Sequence, residues 1–349
     1  MKKLKAVLAA VLALALTFAF AACSNRRTST GRSDSSKSET SSQSSETSSK
    51  SSETSSKPSE TKNNKGSSDT LPEFDKTGTI EETHLTDVYD VSITATKLTY
   101  NNYEVALSLK LENKSDAKRE VHAGTTGYGC NSVNGYMIHD GYLSCDLDPG
   151  AAAEDEISFS YAELSVHGIS KIADIGIGFD VSDGDYHHEL SDMAFLKTQF
   201  ADNYDYSEDT YLKTIKGNAL QNAYGITMDH LSENTVYSEG NVSLISQAVI
   251  TNKDGSTSLM LEFKNKAEQA INVSLSGLKL NGTTLNESYV ASDLIWTDKK
   301  SVVSVSLKKY FEKNTSLNAK NLKSVEVSVN LTNMDGTSLT PESIVKIEF

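Results

Sequence analysis

The chain is poor in the residues that staple a fold or recruit anionic partners. Its 349 residues include three Cys, four Pro and one Trp. Three Cys exclude a disulfide-rich scaffold and a multi-zinc protein. Cations are also short: 33 Lys plus Arg stand against 47 Asp plus Glu, a formal charge of −14. Nucleic-acid binding needs clustered cations on phosphates, so this balance argues against a nucleic-acid partner. Catalytic signatures are missing as well. There is no G-x-S-x-G, no H-E-x-x-H, no Walker loop and no dinucleotide glycine pattern. Seven His are present and none is spaced as a motif. The expectation is a protein that is not an enzyme.

What is present divides the chain into unlike parts. Lys2, Lys3 and Lys5 precede an uncharged apolar run from Ala6 to Ala22, the pattern of a secretory signal. At 17 residues the run is at the short end for a spanning helix. Arg26 and Arg27 on its far side weaken a stop-transfer reading, because cations favour the inner face. Residues 24–70 hold 19 Ser and 7 Thr, and SSETSSK occurs twice, at Ser44–Lys50 and Ser51–Lys57. With no aliphatic or aromatic side chain there, no core can offset the entropy of ordering. Such a tether averages roughly 40 Å end to end. Residues 71–349 carry 22 basic and 41 acidic side chains, a net charge of −19, which keeps them soluble.

Residues 71–349 contain an internal repeat. Leu109–Asp116 matches Leu261–Glu268 at a spacing of 152 residues, and Val133-Asn134-Gly135 matches Leu280-Asn281-Gly282 at 147. Ala173, Ile175, Ile177 and Phe179 match Val325, Val327, Val329 and Leu331, again at 152. Within each copy the apolar period is two, the period of a half-buried strand. Asn134-Gly135 and Asn281-Gly282 are two-residue hairpin signals, since a type I′ turn needs positive φ at both central positions. Short strands with one buried face and frequent turns predict an all-β chain of two antiparallel sandwiches. A helical turn is expected at Tyr161–Leu164 and again at Lys308–Phe311. Ala219–Leu231 suits strand or helix. The expected boundaries are a signal at 1–22, a tether at 23–70, a first sandwich at 71–200, a connector at 201–240 and a second sandwich at 241–349.

Phe20-Ala21-Ala22-Cys23 resembles the lipobox of bacterial lipoproteins. Together with the Ser-rich tether, the E-N-K-S-D turn at Glu112–Asp116 and the V-N-G-Y-M hairpin at Val133–Met137, the chain resembles tandem immunoglobulin-like surface lipoproteins of Gram-positive gut bacteria. The resemblance implies removal of the signal, diacylation of the Cys23 thiol and anchoring to the outer face of the cell membrane. Two acyl chains suffice for stable anchoring. The family brings no activity and no catalytic residue. The expected function is a non-catalytic extracytoplasmic binding or display module. The alternatives are an accessory envelope subunit assembling with protein partners and a carbohydrate-binding lipoprotein.

Three candidate sites follow from the residues. Cys130 and Cys145 flank the Asn134-Gly135 hairpin, and both lack a counterpart in the second copy. In an exported protein this suits a disulfide, which would stabilise by roughly 3 kcal/mol for a loop of this size; the alternative is two separate thiols. Asp180, Asp183, Asp185, His187, His188 and Glu189 form the densest polar cluster. Oxygen-rich loops bind Ca²⁺ and His can add a transition-metal ligand, but the spacing is not that of an EF-hand, and a solvated hairpin tip is the preferred reading of the cluster. Tyr128 and Tyr142 adjoin glycines and could stack on a sugar or anchor a protein. Trp296 lies in a strand-like run and is expected in the core.

Overall fold

The computed structural model describes residues 69–124, 130–184, 187–284 and 289–349. Alternation becomes strand almost wherever the sequence shows it. In the first half these are β1 (Thr83–Val88), β2 (Val91–Tyr100), β3 (Glu104–Asn113), β4 (Arg119–Ala123), β5 (Asn131–Val133), β6 (Tyr136–Ile138), β7 (Leu143–Leu147) and β8 (Ala152–Ser160). A single-turn helix, α1 (Tyr161–Val166), follows, then β9 (Asp174–Ile177), β10 (Phe179–Ser182), β11 (His188–Leu190) and β12 (Ala194–Lys197). The Ser160 hydroxyl caps α1 by accepting from the Glu163 N–H. Two short helices come next, α2 (Thr210–Ile215) and α3 (Ala219–Tyr224). The second half holds β13 (Thr227–Ser232), β14 (Tyr237–Glu239), β15 (Val242–Thr251), β16 (Thr257–Asn265), β17 (Ile271–Leu280), β18 (Thr283–Thr284), β19 (Ala291–Ile295) and β20 (Lys300–Ser306). It closes with α4 (Lys308–Lys313), β21 (Ser324–Thr332) and β22 (Ser343–Glu348). Ala219–Leu231, open between helix and strand from sequence, is both: α3 ends at Gly225 in the left-handed conformation and β13 begins two residues on.

The strands form sandwich-like antiparallel sheets. Two lie within the first half, in the orders β1-β2-β3-β8 and β11-β10-β4-β7. One lies within the second half, in the order β18-β17-β21-β22 with β19 also on β17. The remaining sheet runs β12-β9-β5-β6-β20-β16-β15-β13, with β14 beside β15. It passes from one half to the other at a single parallel contact, Tyr136 opposite Lys300, where the Lys300 N–H donates to the Gly135 carbonyl at 2.9 Å.

The repeat persists in the hydrogen bonds. Asn113 donates to the carbonyls of Ala117, Leu147 and Asp148 while its oxygen accepts from the Ser115 N–H. Asn265 donates to those of Gln269 and Ile295 and accepts from the Ala267 N–H. Asn134 and Asn281 have φ of 49° and 48°, each followed by a glycine with positive φ, the type I′ geometry. Asn134 also accepts from Ala173 and Asp174 and donates to Lys171, and Asn281 does the same with Lys323, Ser324 and Asn321. The matched asparagines are therefore local fasteners that satisfy loop backbone groups, buried at Asn113, Asn134 and Asn265 and exposed at Asn281. Leaving such groups unpaired costs about 1–3 kcal/mol each.

Two hydrophobic clusters fill the halves, and each borrows from the other. The first, around Ile93, Leu107, Leu109, Ile157 and Phe159, includes Tyr211, Ile215 and Leu220 of the short helices and Ala248 and Val302 of the second half. The second, around Leu259, Leu261, Phe263, Val327 and Val329, includes Met137 and Met193. Residues 201–240 are accordingly packed structure between the halves. Ahead of β1, residues 69–82 form a strap with no ladder of their own. Leu71, Phe74 and Ile80 pack on the first cluster, and Phe74 stacks on Tyr161 at 4.4 Å. The strap is pinned at Asp69 by Asn218 and Asn222, at Asp75 by the Ser170 carbonyl, and at Gly78 by the Tyr100 hydroxyl.

Candidate functional site

The richest polar assembly lies between the halves. β6 delivers Tyr136, the start of α2 delivers Asp209 and Tyr211, β16 delivers Glu262 and β20 delivers Lys300. Asp209 caps α2 by accepting from the Leu212 N–H at 2.8 Å. The Tyr136 hydroxyl donates to Asp209 Oδ1 at 3.2 Å and accepts from Lys300 Nζ at 2.9 Å. The Lys300 ammonium lies 3.4 Å from Asp209 Oδ2, 3.7 Å from Glu262 Oε1 and over the Tyr136 ring. Glu262 has no exposed surface, and its Oε2 accepts from the Ser246 hydroxyl at 2.6 Å. Burial pushes its carboxyl up to about 7, with the charge of Asp209 acting in the same direction and Ser246 and Lys300 opposing. His167, at the end of α1, is buried against Tyr136 and Tyr211. Burial lowers its pKa, against the opposing pull of Glu163.

A second set joins the halves alongside. His139 Nε2 is 2.9 Å from Asp293 Oδ2, and the Ser301 hydroxyl donates to the same oxygen. Serine, histidine and aspartate thus meet, but the carboxylate stands in the middle. A nucleophilic serine needs the imidazole on its own hydroxyl, so this arrangement fastens strands and does not activate Ser301. Burial raises the Asp293 pKa, with His139 opposing.

The residues singled out from sequence fare differently. Cys130 and Cys145 are both free thiols, so the expected disulfide is not formed. Cys130, just before β5, accepts from the Trp296 indole N–H at 2.5 Å, and burial pushes its thiol up to about 12. Cys145 sits on β7 opposite Val121, where the second half has Asp293 opposite Val273. The paired absence in the second copy therefore reflects two unrelated local uses. Trp296 packs on the second cluster at the junction, partly buried.

Asp183 and His187 close the β10–β11 hairpin through the Asp183 N–H to His187 carbonyl bond, with His187 Nδ1 3.2 Å from Asp183 Oδ2. The Tyr89 hydroxyl donates to that same carboxylate oxygen. His188 pairs with Asp180 at 3.5 Å, while Glu189 lies opposite Val181 on the alternate face. The strand period of two separates the acids, and no group of three metal-ligating side chains converges among the described residues. Asp185 lies outside them, as do Tyr128 and Cys23. Tyr142 is 56% exposed, against the backbone of Gly124. Phe195 and Tyr206 are other exposed aromatics, Phe195 rimming an open groove with Thr79, Glu81, Lys197 and Gln199.

Sequence reading missed the junction cluster. One signal was available: Tyr136-Met137-Ile138 is apolar on both strand faces, where the second copy begins Thr283-Thr284. A short strand apolar on both faces is buried on both.

Among the described residues no helix is long and apolar enough to cross a membrane. No protein-family model matches the chain, and no curated protein matches it. Among solved structures, a protein of unknown function from Porphyromonas gingivalis W83 is 10% identical over 74% of this chain and 100% of that one, with a TM-score of 0.19. A structure of a 1.5-MDa bacterial ice-binding adhesin is 12% identical over 70% and 56%, with a TM-score of 0.17. The exo-chitosanase CsxA of Amycolatopsis orientalis is 10% identical over 71% and 26%, with a TM-score of 0.19, so this chain spans about a quarter of that enzyme. These distant likenesses to β-rich proteins assign neither a family nor an activity.

Proposed function

We propose that this is a lipid-anchored extracytoplasmic surface protein, a non-catalytic binding or display module whose folded part is two tandem immunoglobulin-like sandwiches on a Ser/Thr-rich tether. The observation that carries the reading is an order along the chain: basic start, apolar run, Cys23, tether, then a β-rich unit. The matched asparagine fasteners support the tandem arrangement. In this reading the lipid retains the protein, the tether sets its reach and exposed loops or sheet edges do the recognition. Cells producing the full chain are fed an alkyne-tagged fatty acid. Label and membrane retention are expected for the native sequence, and Cys23→Ser should lose the label. Release of unlabelled protein with Cys23 intact overturns the reading.

Exposed Tyr142 favours a second reading, carbohydrate capture. Saturable binding to immobilised host glycans or wall polymers, lost in Tyr142→Ala, supports it. A blank panel with envelope proteins recovered by crosslinking on cells favours an accessory envelope subunit.

A further inference from the structure

The junction cluster holds two carboxylates, one ammonium and one carboxylate oxygen with nothing to accept. Asp209 and Glu262 are neighbours, Lys300 reaches both, and Glu262 Oε2 is taken by Ser246. Glu262 Oε1 is buried and has no hydrogen-bond partner. No described neighbour donates to it. Tyr136 gives its proton to Asp209, Lys300 lies beyond hydrogen-bond reach of Oε1, Tyr211 has its hydroxyl buried and unpartnered, and His167 stands behind both tyrosines with Nδ1 directed at the Glu163 carbonyl. Glu262 is fully buried and Asp209 partly exposed; two anions beside one cation leave the buried carboxyl an uncompensated charge, which an interior does not tolerate. One proton on Glu262 removes that charge and turns the orphan oxygen into a donor toward the Asp209 carboxylate.

We propose that Glu262 carries a proton in the folded protein and shares it with Asp209, making the fastening of the two halves pH-sensitive. The proton ties β16 of the second half to the cap of α2 and, through Tyr136, to β6 of the first. Its loss on the alkaline side places two anions in the joint and loosens it. The sign follows from linkage: a carboxyl whose folded pKa lies above its unfolded value contributes stability that is complete below the unfolded value and lost as pH rises through the folded one.

The test compares the full chain with its Glu262→Gln variant, since a glutamine amide reproduces the donor and cannot ionise. Thermal midpoints are measured from pH 5 to 8.5, with hydrogen exchange at the Lys300 amide and in Thr210–Ile215. The native midpoint should fall by about 5 °C or more across that range, on the usual scaling for a chain this size, with faster exchange at the joint. Glu262→Gln should fall clearly less over the same range, keeping only the pH dependence of the groups the two proteins share, His167 among them. Asp293, whose pKa is also raised, is common to both proteins and drops out of the comparison. Equal pH slopes in the two proteins overturn the proposal. Should the variant fail to fold, carbon-13 NMR of the native Glu262 carboxyl decides: titration near pH 7 supports the proposal and titration below pH 5 overturns it.

Discussion

The two N-G hairpins have the same backbone and opposite fates. In the first half Asn134-Gly135 leads into β6, whose Tyr136, Met137 and Ile138 are all buried at the junction. In the second half Asn281-Gly282 leads into β18, whose two threonines are exposed. A five-residue difference explains the freedom to diverge. The second half runs as one strand, β17, with an irregularity beside Gly277, where the first half has two strands, β4 and β5. β5, β6, β9 and β12 thereby belong to a different sheet from β4, β7, β10 and β11. Turn chemistry fixes the hairpin, and the side chains two residues on decide whether it is a rim or a joint.

Exchanging the hairpins is the sharpest way to break this comparison. Tyr136→Thr, which copies the second half into the first, should cost about 3–5 kcal/mol in urea unfolding, the scale for removing a buried aromatic. Thr283→Tyr, the reverse, should stay within about 0.5 kcal/mol, as surface changes do. Equal costs would show the joint to be an idle contact. The turn asparagines come next. Asn134→Ala should lose about 2–3 kcal/mol and Asn281→Ala about 1 kcal/mol, because the same carbonyl and amides are left unpaired in a buried site in one case and a wet one in the other.

The acid limb of stability sharpens the comparison more gently. The second half has no counterpart of buried His167. Its folded pKa is lowered by burial, so its contribution is present above the unfolded value near 6.5 and lost as pH falls through the folded one. A thermal midpoint that declines below about pH 6 and declines less in His167→Phe is the expected record. The smallest effect is on thiol chemistry. Cys145 in the native protein should alkylate roughly tenfold or more faster than Cys130, whose buried thiol yields little thiolate. Trp296→Ala should narrow that gap, read by mass spectrometry of peptides.

Much of the fold was legible because its signals are local. Alternation at Val105, Leu107, Leu109 and Leu111 places one face inside whatever sheet forms, and positive-φ turns announce themselves as Asn-Gly. The repeated Asn113 and Asn265 were visible as a motif, though not as fasteners, since their partners lie 34 and 30 residues away. The site was far less legible. Asp209, Glu262 and Lys300 come from three elements, and nothing in their spacing brings them together. The Asp180–Glu189 run is the reverse case: its residues are dense in sequence, pair off along the hairpin as His187 with Asp183 and His188 with Asp180, and bring no three described ligands together. The disulfide expectation failed because a shared absence in the other copy records only that two positions changed, not that they touch.

The strap at residues 69–82 has a mechanical consequence. A pull applied at residue 69 loads Asp69, then Phe74 and Asp75, then Gly78, in series. Phe74 is held by packing and the others by one or two hydrogen bonds each, which part singly and not as a ladder in shear. Behind the strap stands β1, an edge strand paired only with β2, so traction peels it rung by rung. The N-terminal end of the described unit is thus the compliant end, which lengthens under load before force reaches the shared sheet and the joint at Lys300.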